Sequence, residues 1–212
     1  MATDLIEIDV ETPDAETIAN AAGMLRKGRV VAIPSDALYT LVADPFNLRA
    51  VSRVFQAKGR DSQRALPLLI NDSLMAEDLS RELTLRFFLL ARRFWPGPLT
   101  IIVPAAPKVP LKVTGNTGRL ALRQSRSAVA NALIALLGQP LISTSANISG
   151  QPTCRSGIDV FGTMDGRVDM VLDGGLCSGP GATTVDVTEP DWKVVKAGAI
   201  EEKEIAECLD GS

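Results

Sequence analysis

The stretch Val30-Val-Ala-Ile33, followed by Pro34-Ser-Asp-Ala-Leu-Tyr39, places a continuous apolar run directly before a polar turn. A short apolar run of this kind predicts a buried β-strand. In α/β proteins the loops at strand ends are common ligand sites, because they gather side chains at one edge of the sheet. The Ser35 hydroxyl and the Asp36 carboxylate are therefore candidate ligand groups, although Pro-Ser-Asp is also ordinary turn chemistry.

Strands and helices interleave along the rest of the chain without strict alternation. This pattern predicts an α/β fold in which helices pack on a mixed, twisted β-sheet. The 212 residues suit a single domain over residues 1–212. The predicted strands cover residues 5–10, 30–33, 66–70, 99–103, 119–123, 140–143, 168–172, 183–187 and 193–195. The predicted helices cover residues 12–28, 47–58, 73–79, 82–94, 127–137, 157–161 and 201–209, and residues 34–44 are predicted to form a loop.

The composition excludes several kinds of chemistry. The chain has no histidine, which excludes Ser-His-Asp and Cys-His nucleophilic systems and His-ligated zinc. Its cysteines, Cys154, Cys177 and Cys208, have no metal-ligand spacing and predict no disulfide framework. No segment approaches the roughly 20 apolar residues of a membrane span, and the acidic residues 1–10 do not resemble a signal peptide. We expect a cytoplasmic protein.

The charge distribution is uneven along the chain. The net charge is −3, but residues 49–126 contain 14 Lys and Arg against 5 Asp and Glu, a local balance of +9. Such a basic segment in an acidic protein is typical of an anion site, or of a solvated surface that is basic by chance.

Three polar clusters accompany the Ser35 turn. Lys58-Gly-Arg60 and Arg64 suit a polyphosphate. The alternative is that these cations only stabilise a helix C-terminus, with Lys58 exposed at the helix end. Arg119 and Arg123 alternate onto one face of a predicted strand, which is costly unless that face is open or binds anions. Residues 143–150 carry four hydroxyl groups and one amide directly after another strand, which suits phosphate or carboxylate oxygens.

In this order, the clusters resemble the YrdC-like family of threonylcarbamoyl-AMP synthases, over about residues 15–200. The matching segments are Ile33-Pro-Ser-Asp-Ala-Leu-Tyr39, Lys58-Gly-Arg60, Trp95-Pro-Gly-Pro-Leu-Thr100, Leu122-Arg123, Ser143-Thr-Ser-Ala-Asn147, Asp173-Gly-Gly175, Thr183-Thr-Val-Asp186 and Ala197-Gly-Ala199. The resemblance implies a twisted mixed sheet with flanking helices and a basic concave cavity. It also implies that ATP, L-threonine and bicarbonate are condensed to threonylcarbamoyl-AMP, with Mg²⁺ on the ATP.

The resemblance assigns roles to individual residues. It implies threonine contacts from Ser35, Arg123, Ser143 and Thr183, with Arg123 holding the substrate carboxylate. It implies nucleotide contacts from Lys58, Arg60, Ser62, Arg119, Ser145, Asn147, Thr153 and Lys196. Lys58 and Arg123 are the implied catalytic residues, and no protein side chain is implied as a metal ligand.

This chain departs from the family pattern at several places. Ala37 lacks a hydroxyl group, Thr40 replaces a glycine, and Asp61 replaces a proline. Arg119 stands where threonine is common, and Lys196 replaces an arginine.

The implied nucleotidyltransferase would pass its product to proteins that modify tRNA. The main alternative is a non-catalytic protein of the same fold that binds double-stranded RNA or tRNA and acts in ribosome or tRNA maturation. The basic segment would then contact phosphates along the RNA backbone. Against this alternative, few aromatic residues are placed to stack on bases. A further alternative is a relative that acts on a substrate other than threonine.

Overall fold

The computed structural model describes residues 2–60 and 63–210, and within these ranges it contains ten strands and eight helices. The strands are β1 (Asp4–Glu7), β2 (Val31–Ile33), β3 (Thr40–Ala43), β4 (Leu68–Ile70), β5 (Leu99–Pro104), β6 (Arg119–Gln124), β7 (Leu141–Ser145), β8 (Met170–Asp173), β9 (Thr183–Asp186) and β10 (Lys193–Lys196). The helices are α1 (Ala15–Arg26), α2 (Leu48–Lys58), α3 (Ser73–Leu79), α4 (Leu85–Phe94), α5 (Leu111–Thr114), α6 (Ala128–Leu137), α7 (Gly157–Met164) and α8 (Glu202–Asp210).

All ten strands form one mixed sheet in the order β1-β8-β2-β3-β7-β4-β6-β5-β9-β10. The pairs β1–β8, β2–β8, β4–β6 and β5–β9 are parallel, and the other neighbours are antiparallel. The mixed sheet with packed helices confirms the predicted fold class.

Helices cover the two faces of the sheet unequally. Helices α1 and α6 pack on one face, against buried residues of β2, β3, β4, β7 and β8. Strands β5, β6, β9 and β10 contribute no residue to this core, so α1 and α6 do not cover their half of that face. The remaining helices pack on the opposite face, where the larger core includes Val54, Phe87, Val160 and Ile205. We call the half of the first face without helices the open face.

Local sequence signals account for most helix ends. Asn47 caps α2 by accepting hydrogen bonds from the backbone of Arg49 and Ala50, and Gly59 ends that helix at φ 56°. The cap of α1 is Asp14 rather than the predicted Thr12, so this helix starts later than predicted.

The predicted loop over residues 34–44 was wrong in its second half. Residues 40–43 form β3, whose four residues are all buried between β2 and β7. Strand pairing on both sides satisfies the backbone of Thr40–Ala43, which outweighs the turn signals that precede it.

Within residues 2–60 and 63–210, Cys154, Cys177 and Cys208 form no disulfide bond. Among the described residues, no helix is long and apolar enough to cross a membrane.

Candidate functional site

A cavity of about 420 Å³ lies where the open face meets β3, β4 and β7, at the edge of the region that α1 and α6 cover. We call it the sheet cavity. Its cationic lining residues are Arg60, Arg64, Arg123 and Lys196, and its hydroxyl-bearing ones are Ser35, Tyr39, Thr40, Thr100, Ser143, Thr144, Ser145 and Thr184. Over the ranges 2–60 and 63–210 its lining includes no carboxylate. The sheet cavity is therefore suited to an anionic ligand.

Strand register explains which side chains enter this cavity. Arg123 of β6 pairs with Leu69 of β4, whose side chain belongs to the core under α1 and α6. Thr100 of β5 pairs with Thr184 of β9, and alternation puts both on the same face as Arg123. Neighbouring strands thus place a guanidinium and two hydroxyl groups on the floor of one cavity.

Arg123 is a buried cation at the edge of the cavity. Its Nε donates a hydrogen bond to the Gly97 carbonyl at 2.9 Å, and its Nη2 lies 2.6 Å from Asp36 Oδ1. The Asp36 contact is close enough for an ion pair, yet Nη2 has no well-directed hydrogen bond to any described residue. Nη1, unlike Nη2, is not fully buried and makes no hydrogen bond to any described residue, so it is the group of Arg123 that a ligand carboxylate can reach.

The predicted threonine-binding hydroxyl groups lie around the same cavity. Ser143 Oγ is 2.9 Å from Thr40 Oγ1, and both residues line the cavity. Ser35 Oγ donates to the Leu38 carbonyl at 2.5 Å and accepts from the backbone of Ala37. The hydroxyl of Ser35 thus also shapes the turn that carries it.

Lys58 is not the exposed cation that its place at a helix end predicts. It is only 2% exposed, and its Nζ donates to the Ser145 carbonyl at 2.5 Å, to the Asn147 carbonyl at 3.1 Å and to Asn147 Oδ1 at 2.9 Å. Burial, followed by the charge of Arg60, lowers the pKa of Lys58 to about 8. Lys58 thus holds the Ser145–Asn147 turn from behind instead of lining the cavity.

Arg60 reaches the cavity that Lys58 does not. Its Nη2 donates to the Ala65 carbonyl at 3.1 Å, while its buried Nε has no partner among the described residues. Desolvation, and then the neighbouring charge of Arg64, lowers the pKa of Arg60. A bound polyanion would offset the repulsion between these two guanidinium groups.

Arg119 and Thr183 are among the predicted site residues that lie outside the sheet cavity. Arg119 shares the face of Arg123, but its guanidinium is paired with Asp186 at 2.8 Å and Glu189 at 2.6 Å. Thr183 is fully buried and exchanges hydrogen bonds with the backbone of Ile200. Alternation along β9 turns Thr183 into the core and Thr184 into the cavity.

Of the other predicted nucleotide contacts, some line the cavity and others do not. Ser145 and Lys196 line the cavity, whereas the Asn147 side chain accepts from Lys58 and donates to the Gln151 carbonyl. Thr153 is half-buried and does not line the cavity. Ser62 lies outside the described residues.

Thr184 and Leu69 are among the lining residues that the sequence did not predict as site residues. A signal for Thr184 existed, because Val185 and Val187 alternate as core residues and require residue 184 to face the other way. Leu69 had no such signal, since Leu68-Leu-Ile70 is apolar on both faces.

Together, the fold and the site define a mixed-sheet α/β protein with a cationic ligand cavity. The Sua5_yciO_yrdC family model (Telomere recombination) matches residues 23–198. This chain therefore belongs to the Sua5/YciO/YrdC family.

Curated relatives and a solved structure agree with this placement. The threonylcarbamoyl-AMP synthase of Pyrococcus abyssi is 35% identical over 190 residues, which cover 89% of this chain and 56% of the relative. The putative threonylcarbamoyl-AMP synthase of Mycobacterium leprae is 33% identical, with 95% of this chain and 92% of the relative covered. The crystal structure of P. abyssi Sua5 complexed with L-threonine superposes with a TM-score of 0.93 at 34% identity, and covers 98% of this chain and 61% of the other. The chain thus spans somewhat more than half of the P. abyssi protein.

Proposed function

We propose that this chain is an L-threonylcarbamoyladenylate synthase, a nucleotidyltransferase that forms threonylcarbamoyl-AMP and pyrophosphate. The observation that carries the proposal is the sheet cavity, in which the guanidinium of Arg123 lies beside several hydroxyl groups while Arg60, Arg64 and Lys196 supply further positive charge. One such cavity offers a fork for an amino-acid carboxylate and a separate cationic region for phosphates. The names of the relatives, and the L-threonine bound to P. abyssi Sua5, support the same substrate.

The lining suggests how the two substrates are divided. The α-carboxylate of L-threonine would bind Arg123, with the Ser143 and Ser35 hydroxyl groups nearby. The phosphates of ATP would extend toward Arg60, Arg64 and Lys196, because a triphosphate needs several cations within reach. Ser145 would lie at the nucleotide end, where Lys58 fixes its carbonyl from behind.

The reaction balances without a covalent enzyme intermediate. Bicarbonate loses hydroxide to give CO₂, and the threonine nitrogen bonds to its carbon and loses a proton. A carbamate oxygen then bonds to the α-phosphorus of ATP while the bond to the β-phosphate oxygen breaks, and pyrophosphate leaves with the electron pair. Positioning and charge neutralisation suffice for such a step, which suits a chain without histidine.

Mg²⁺ belongs to this proposal as part of the ATP substrate. Because the described cavity lining contains no carboxylate, the ion would enter on the phosphates rather than on protein ligands. The product would pass to proteins that modify tRNA, and we place the reaction in the cytoplasm, where ATP, threonine and tRNA are present together.

The test is pyrophosphate release by the purified chain, with each component omitted in turn. We expect release only when ATP, Mg²⁺, L-threonine and bicarbonate are all present. L-Serine should support slower release, since one methyl group discriminates by only about 1–3 kcal/mol. Arginine variants of the cavity need a control, and Arg92 of α4 is exposed on the opposite face of the sheet. Arg92→Ala removes one arginine without touching the cavity. Release that ignores threonine, or no release from the complete mixture, contradicts the proposal and favours the RNA-binding alternative.

A further inference from the structure

Among the described residues, the Arg123 guanidinium is held on the side of Nε and Nη2. The Gly97 carbonyl accepts from Nε at 2.9 Å, and Asp36 Oδ1 lies 2.6 Å from Nη2. The side chains of Arg123 and Asp36 are only 11% and 13% exposed, so their charges face each other with little water between them. A carboxylate at this position fixes the plane of the guanidinium.

Asp36 is itself anchored. Its Oδ1 accepts a hydrogen bond from Ser125 Oγ at 2.5 Å, and its Oδ2 accepts from the backbone N–H of Arg126 at 3.4 Å. Both donors belong to the segment that joins β6 to α6, and Ser125 is only 1% exposed. The carboxylate is therefore held in place by the chain that follows Arg123.

Asp36 also lies behind the sheet cavity rather than inside it. It lines a second cavity of about 520 Å³, together with Glu11 and Ser127, whereas Arg123 lines the sheet cavity. Ser35 and Ala37, on either side of Asp36, line both cavities. Asp36 thus contacts the guanidinium from the wall that separates them.

We propose that Asp36 is a positioning residue for the amino-acid substrate, which acts by orienting Arg123 and is itself oriented by Ser125. This inference rests on the proposed function, in which Arg123 binds the α-carboxylate of threonine. Because Gly97 and Asp36 lie against Nε and Nη2, Asp36 fixes the guanidinium and leaves Nη1 for a ligand carboxylate.

A different role for Asp36 predicts the opposite sign. If Asp36 occupied the place of the substrate carboxylate, it would compete with threonine, and removing its charge would tighten threonine binding. If Asp36 positions Arg123, removing its charge loosens the guanidinium and weakens binding. The sign of one measured change therefore decides between the two roles.

The decisive variant is Asp36→Asn, which keeps the size of the side chain and an oxygen acceptor but removes the charge. We expect the KM for L-threonine to rise by about tenfold or more, while kcat and the KM for ATP change by less than about threefold, because only the amino-acid fork is disturbed. Ser125→Ala should raise the same KM in the same direction by a smaller factor. Glu11→Gln removes a carboxylate from the second cavity without touching Arg123, and it should leave all three constants unchanged. A lower KM for threonine in Asp36→Asn, or an equal rise in the KM for ATP, overturns the proposal.

A second readout does not require activity. In ¹⁵N–¹H spectra of arginine side chains, assigned with Arg123→Lys, the Nη signals of Arg123 should be resolved in the unaltered protein, because the ion pair slows rotation of the group. They should broaden in Asp36→Asn, with the rest of the spectrum preserved. Unchanged Nη signals in a folded Asp36→Asn protein overturn the proposal. If the unaltered protein releases no pyrophosphate, the proposed function fails, and these spectra still decide whether Asp36 orients Arg123.

Discussion

Arg119 and Arg123 are the same residue type on the same face of the same strand, yet they lie in different surroundings. Four residues along a strand separate them by about 13 Å. Arg119 is paired with Asp186 and Glu189 and lies outside the cavity. Arg123 lines the cavity and contacts one carboxylate of the described residues, that of Asp36. The first arginine links β6 to β9 and the loop after it, and the second is left able to bind a ligand.

This difference shows what strand alternation can and cannot predict. Alternation fixes the face on which a side chain lies, because successive residues point to opposite sides of the sheet. It does not fix the partner, which for Arg119 is Asp186 of β9, 67 positions later in the chain. Burial alone would raise the pKa of Asp186, but hydrogen bonds from Thr188 and the charge of Arg119 leave it lowered. Arg119 thus forms an ion pair with an ionised carboxylate of the protein itself.

The largest expected effect separates these two arginines. Arg123→Ala should raise the KM for L-threonine by about 100-fold, since it removes charge-assisted hydrogen bonds worth about 3 kcal/mol. Arg119→Ala should change that KM by less than about threefold, because its ion pairs lie outside the cavity and are partly exposed. Steady-state kinetics of both variants give the comparison, and circular dichroism checks that each one is folded.

A large rise in the KM for threonine or ATP in Arg119→Ala would break the comparison. Such a result would support the nucleotide contact that the family resemblance implies for Arg119.

A smaller effect separates Lys58 from Arg60, two cations on either side of Gly59. Lys58→Met should lower the free energy of unfolding by about 2–3 kcal/mol, because it removes charged hydrogen bonds that hold the Ser145–Asn147 turn. Arg60→Met should leave stability nearly unchanged but weaken ATP binding by about tenfold, through loss of one charged contact to phosphate. Urea unfolding and calorimetric titration with ATP measure the two quantities. Equal losses of stability in the two variants would contradict the separate roles.

Much of the fold could be predicted because its signals are local. The buried strand at residues 31–33, the cap at Asn47 and the end of α6 at Gly138 follow from short-range patterns. Strand β3 could not be predicted, since Thr40–Ala43 owes its conformation to pairing with β2 and with the distant β7. Non-local pairing of this kind leaves little trace in a short window of sequence.

The candidate site also combines residues that the sequence predicted with contacts that it could not predict. Ser35, Arg60, Arg123, Ser143, Ser145 and Lys196 were predicted and all line one cavity. The burial of Lys58 could not be predicted, because the acceptors that hold it lie in a turn 87 residues or more along the chain. Nor could the pairing of Asp36 with Arg123, since these two residues are also 87 positions apart in the sequence.

The most direct test of the sheet cavity as the synthase site is a crystal structure of the protein with L-threonine and a non-hydrolysable ATP analogue. The α-carboxylate of threonine should lie within hydrogen-bond distance of Arg123, with the phosphates toward Arg60 and Lys196. Arg119 should remain on Asp186, and Lys58 should remain behind the Ser145–Asn147 turn. Threonine bound away from Arg123, or the analogue bound outside the sheet cavity, would contradict this assignment.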